Sequence, residues 1–183
     1  MVRLGGRGVP RKSAKDGAGF TLIELVVTVL ILAILITVGV PSFSDATLGS
    51  RLGSYANELV TSAYLARSEA MKRNRPVTLC TSTDGTSCAV SGGWEQGWIV
   101  LEASTSTVIQ HQQARAPGYK VTAKDASNAA IYSVAFQPTG FGATQATFTV
   151  CRYLPQAGKQ ERVVTLSPTG KPAVSRTETG TCS

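Results

Sequence analysis

Residues 19–41 read G-F-T-L-I-E-L-V-V-T-V-L-I-L-A-I-L-I-T-V-G-V-P, and between Phe20 and Val40 the only charged side chain is Glu24. Leu, Ile and Val fall all round a helix built on this stretch, with no polar stripe. A helix that is apolar on every face sits in lipid or in the middle of an assembly. Residues 20–40 as a helix rise about 31 Å, roughly the hydrocarbon thickness of a bilayer. In lipid such a helix satisfies its own backbone donors and acceptors. Glu24 costs on the order of 2.5–3.5 kcal/mol deep in hydrocarbon, and less near an interface, so it calls for a partner.

The flank carries the second signal. Arg3, Arg7, Arg11, Lys12 and Lys15 stand against one acid, Asp16, and the run ends in Gly17-Ala18-Gly19. Basic residues mark the cytoplasmic side of a membrane segment, which puts the C-terminal body on the periplasmic or equivalent side. The small residues precede the apolar core and no clean A-x-A follows it, the reverse of a cleaved secretory signal. The whole chain carries +7; the leader accounts for +4 of it, and 13 basic against 10 acidic residues leave +3 beyond.

G-F-T-L-I-E-L at residues 19–25 resembles the type III signal of type IV prepilins and of the pseudopilins of type II secretion. That resemblance implies cleavage after Gly19 by a membrane-embedded prepilin peptidase, which also N-methylates Phe20. It implies that Glu24 is the assembly carboxylate, neutralising the terminal amine of a neighbouring subunit. Two charges alone in an apolar medium are each costly, and much less so as a pair. The implied partners are the peptidase/methyltransferase, other major and minor pilins or pseudopilins, and inner-membrane lipid. The implied location is the inner membrane, single-pass, and then the pilus or pseudopilus.

The expected organisation is a cleaved leader (1–19), a transmembrane half-helix (20–41), an amphipathic half-helix (42–74) and a β-rich head (75–183). Pro41 removes a helix hydrogen bond and is expected to bend the helix. Beyond it Leu48, Leu52, Tyr55, Leu59, Ala63 and Ala66 recur at three- and four-residue steps, one apolar face meant for a globular partner. Asn74-Arg75-Pro76 is a stop signal. From there the period switches to two, with strands expected at 77–81, 98–102, 107–111, 119–123, 130–137, 147–152, 162–167 and, briefly, 172–175. Turn residues separate them, among them Asp84-Gly85, Gly92-Gly93, Pro117-Gly118 and Pro168-Thr169-Gly170. Many short strands with close turns mean antiparallel sheet. The fold class is therefore α+β, a long N-terminal helix packed on an antiparallel head in the pilin manner. The roughly 140 residues beyond the membrane half suffice for one modest core. A-R-S-E-A-x-x-R at 66–73, V-T-L-C at 77–80, W-x-x-G-W at 94–98 and S-P-T-G-K at 167–171 resemble the GspH/FimT branch of minor pseudopilins.

Four cysteines in an oxidising compartment read as two disulfides, with three pairings possible. Cys80 and Cys88 flank the Thr83-Asp84-Gly85 turn, which favours their pairing. That leaves Cys151 with Cys182, a bond that clamps the C-terminal tail. His111 is the only histidine, no C-x-x-C or G-x-S-x-G is present, and Gly140-Phe141-Gly142 lacks the rest of a dinucleotide fingerprint. No metal, cofactor or enzyme is expected. Trp94, Trp98, Phe136, Phe141 and Phe148 are candidates for the core or for a subunit contact.

Two functions from different classes remain. One is a minor pilin or pseudopilin at the tip of a type IV pilus or type II secretion pseudopilus. The other is a competence-type minor pilin whose head binds DNA. Some FimT-like proteins of competence pili do so through a C-terminal G-R-x-R motif. Here Gly170-Lys171-Pro172 and Arg176 keep the glycine and two cations without the close Arg pair. A DNA site would use Lys171 and Arg176, helped by Arg152 or Arg162, and with so few phosphates neutralised it would be weak.

Overall fold

The computed structural model describes residues 19–141, 143–154 and 159–182, with backbone alone at 38–42. The chain divides after Ser42 into two compact units. Helix α1 runs Leu22–Arg73. Thr21 caps it: the Glu24 N–H donates to Thr21 Oγ1 at 3.3 Å and the Leu25 N–H to the Thr21 carbonyl at 3.1 Å. T-x-x-E at 21–24 is thus the start of a capping box, and Glu24 lies in the first turn, where the helix dipole favours an anion. At the far end Asn74 takes a left-handed φ of 52°. The Asn74 N–H reaches the Met71 carbonyl and the Arg75 N–H the Ala70 carbonyl, a Schellman closure directly before Pro76.

In the first unit every large apolar side chain from position 20 to 36 is exposed. Among the described residues no helix is long and apolar enough to cross a membrane. The expected span includes positions 38–40, and the expected bend lies at Pro41; their side chains fall outside the described residues, as does the leader from 1 to 18.

In the second unit the helix buries Leu48, Leu52, Ala56, Leu59, Ala63, Ala66 and Ala70, with Tyr55 half-buried beside them. Among the described residues eight strands follow: β1 Val77–Thr81, β2 Trp98–Glu102, β3 Thr107–Gln112, β4 Tyr119–Lys124, β5 Ser133–Phe136, β6 Ala146–Arg152, β7 Glu161–Leu166 and β8 Pro172–Thr177. They form two antiparallel four-stranded sheets, ordered β3-β2-β1-β5 and β4-β6-β7-β8. Residues 130–132, expected inside the fifth strand, carry the chain from one sheet to the other. Ala130 bridges Lys124, the Ile131 N–H donates to the Ala123 carbonyl at 3.0 Å, and the Tyr132 carbonyl accepts from the Thr81 N–H at 2.9 Å.

The helix stripe packs with Val77, Leu79, Val100, Val134 and Phe136 of the first sheet and Val121, Phe148, Val150, Val164 and Leu166 of the second in one core. Trp94, Trp98, Phe136 and Phe148 are buried there, whereas Phe141 is 66% exposed. Both indoles have partners for their N–H, as buried tryptophans require. Trp94 Nε1 donates to the Ile131 carbonyl at 2.9 Å and Trp98 Nε1 to the buried Ser62 hydroxyl at 3.0 Å.

Candidate functional site

Gly19 and Phe20 precede the helix, and a Cβ placed at Gly19 would meet nothing within 4 Å. The bond between them precedes the helical hydrogen bonds that Thr21 opens. Phe20 itself is 78% exposed. Four residues on, Glu24 projects from the first turn among exposed apolar side chains.

The head is pinned by contacts that the sequence pattern did not reveal. Glu102, on the last position of β2, is buried and accepts from Arg73 Nη1 at 3.0 Å, Ser104 Oγ at 2.9 Å and Arg75 Nη1 at 3.4 Å. The Ser104 hydroxyl, then Arg73, hold its carboxyl below the usual range against the opposing effect of burial. Because Arg73 closes the helix and Glu102 ends a strand, this cluster fixes where helix and first sheet meet. Arg115, from the loop after β3, pairs with Glu58 on the helix. Its guanidinium lies 4.2 Å from the Trp98 ring centroid and 4.9 Å from that of Tyr55.

Cys80 and Cys88 are bonded, with a Cα separation of 5.5 Å. Asp84 organises the loop between them, accepting from the N–H groups of Thr86 and Ser87 and from Ser87 Oγ; these bonds hold its carboxyl far below the usual range. Cys151 and Cys182 are bonded at 5.6 Å. The tail that this bond secures is also held by Glu161, which accepts from Thr177 Oγ1, Thr179 N–H, Thr179 Oγ1 and Gly180 N–H. Burial raises the Glu161 pKa, but the hydrogen bonds outweigh it and the net shift is downward.

Of the four basic residues expected at a DNA site, Arg162 and Arg176 are register partners on β7 and β8 and Arg152 lies two residues beyond Val150, the partner of Arg162, whereas Lys171 stands apart. Arg162 turns to the helix, its Nη2 donating to the Gly49 carbonyl at 3.2 Å and its Nη1 to the Gln160 carbonyl at 3.0 Å. Arg176 pairs with Glu178 at 2.7 Å. Lys171 sits in the turn before the first residue of β8 and Arg176 near that strand's other end, about 16 Å away at strand rise. Arg152 ends β6 opposite Tyr119. Among the described residues no group of three or more His, Cys, Asp or Glu forms a metal-sized cluster.

An apolar helix capped at Thr21, directly after Gly19-Phe20, together with a small two-sheet head pinned by disulfides defines a pilin-like subunit. More particularly, the chain belongs to the family described as Type II transport protein GspH, whose model matches residues 55–170. The prokaryotic N-terminal methylation motif matches residues 15–40. Among solved structures the chain is similar to the type IV minor pilin FimU of Pseudomonas aeruginosa in two crystal forms. One is 20% identical with a TM-score of 0.51, over 67% of this chain and 91% of that one. The other is 24% identical with a TM-score of 0.50, over 69% and 89%. The minor pseudopilin EpsH from the type 2 secretion system of Vibrio cholerae is 12% identical with a TM-score of 0.48, over 68% and 95%. Likeness to FimU at such identity shows the fold alone. No curated protein matches the chain in sequence.

Proposed function

We propose that this chain is a minor pilin or pseudopilin, cut after Gly19 and N-methylated at Phe20 by a prepilin peptidase. It is then stored in the inner membrane on residues 20–41 with residues 75–183 outside. From there it joins the tip of a type IV pilus or type II secretion pseudopilus. The observation that carries this reading is the apolar start of the helix. Among the described residues it is exposed on every side with one carboxylate in its first turn, so lipid or neighbouring helices are needed to cover it. In the membrane it is covered by lipid, and in the filament by other helices, where Glu24 neutralises the amine of a neighbour's residue equivalent to Phe20.

Glu24→Val separates storage from assembly. Removing the carboxylate lowers the insertion cost, so the membrane-bound amount stays at the wild-type level. Incorporation into sheared filaments falls to background because the neighbour's amine loses its counter-charge. Wild-type incorporation of Glu24→Val would remove the role assigned to Glu24.

A further inference from the structure

The two faces of the second sheet differ sharply in chemistry. Its inner face supplies Val121, Phe148, Val164 and Leu166 to the core. On the outer face the register aligns Lys124, Thr147, Thr165 and Ala173 in one row and Thr122, Thr149, Val163 and Ser175 in the next. Two open cavities meet at β4, one at its free edge and one on this outer face. One, of about 280 Å³, includes Gly93, Glu95, Lys120 and Tyr132 in its walls. The other, of about 260 Å³, is walled by Lys124, Thr149 and the tail threonines Thr177 and Thr179 among others. Thr122 lines both, so they form one groove across the β4 edge.

Charge and hydrogen-bonding capacity select an occupant. Lys120 and Lys124 flank Thr122 on the same face, and neither has an ion-pair partner among the described residues. The two carboxylates nearby are engaged internally. Glu95 accepts the Val121 N–H at 3.0 Å, closing the free edge of β4, and Glu161 holds the tail. The Thr122 and Thr149 hydroxyls likewise have no hydrogen-bond partner among the described residues. Each offers one donor and two acceptor positions. The groove thus presents two unpaired cations about 13 Å apart along the strand, with unpartnered hydroxyls between and beside them. We propose that it binds an anionic polysaccharide. Lys120 and Lys124 pair with acidic groups on non-adjacent sugars of one chain, Thr122 and Thr149 hydrogen-bond sugar hydroxyls, and Tyr132 flanks a ring at one end.

Nucleic acid fits this groove less well. Two cations neutralise two phosphates, a salt slope of only about −1.4 for a single strand. Beyond Tyr132 at one end, the outer face carries no aromatic side chain on β4, β6, β7 or β8 on which successive bases could stack. The proposal goes beyond subunit assembly and does not depend on it, since binding is read on the isolated protein.

The test titrates the full chain in detergent micelles against a polyuronate, a neutral dextran and single-stranded DNA at several salt concentrations. The expected result is salt-sensitive binding to the polyuronate, weaker binding to DNA and none to dextran. Lys120→Gln with Lys124→Gln should lower the polyuronate affinity about tenfold, the scale of two exposed ion pairs. Thr149→Val should lower it several-fold, and Lys171→Gln, outside the groove, should leave it unchanged. Melting temperatures of all variants should match wild type, and Lys120→Arg with Lys124→Arg should restore affinity. No polyuronate binding, equal binding of dextran, tighter binding of DNA, or an unaffected double variant would each overturn the proposal.

Discussion

Glu58→Ala lowers the unfolding free energy by about 3 kcal/mol, far more than the loss of an exposed charge. The reason is the charge left behind. The Arg115 side chain is 7% exposed, stacks on Trp98 and Tyr55, and has Glu58 as its ion-pair partner. Its Nε and Nη2 are buried without hydrogen-bond partners, so the pair already carries an uncompensated desolvation cost. Breaking a buried pair from one side leaves an orphaned ion, whereas replacing both partners with apolar groups is often close to neutral. Arg115→Met combined with Glu58→Leu is therefore expected to be more stable than Glu58→Ala alone. Urea unfolding of the three proteins checks this. A cost for Glu58→Ala under about 1 kcal/mol, the range of a surface pair, would show that Arg115 is hydrated.

Cys182→Ser costs about 3–4 kcal/mol, because the bond to Cys151 closes a loop with a sequence separation of 31 and restricts the unfolded chain. Cys88→Ser costs less, about 2.5 kcal/mol, since its loop spans only 8. The ranking follows from loop length alone and is checked by melting each variant under non-reducing conditions. The tail of Cys182→Ser should still protect its amides from hydrogen exchange in part, since Glu161 continues to accept from Thr179 and Gly180. An unchanged melting temperature in Cys182→Ser would mean that Glu161 alone secures the tail.

Much of this fold is written in hydrophobic period. The helix face from Leu48 to Ala66 and nearly all of the strands can be read from steps of three, four and two, because burial acts on one face of each element. The division into two sheets is not local information. β1 pairs with β2 and also with β5, which lies more than fifty residues on in sequence, and the chain changes sheet between β3 and β4, between β4 and β5 and between β5 and β6. The Thr21–Glu24 cap was present as T-x-x-E but masked by the stronger apolar signal. Glu102, Arg115 and Glu161 carry no signature, since a polar residue in a loop or at a strand end reads as solvated. Lys171 and Arg176 teach the converse. They are close in sequence, but Lys171 lies in the turn before β8 and Arg176 near the far end of that strand, beside Arg162 of β7.

The central claim is that residues 1–19 are removed to expose Phe20 as the filament-forming end. Intact-mass and N-terminal peptide analysis of the protein from membranes that contain a prepilin peptidase tests it directly. The account predicts a chain that begins at Phe20 and carries one methyl group on its amine, and an uncut chain where the peptidase is absent. A mature chain that still begins at Met1, or one that begins beyond Val40, would contradict it.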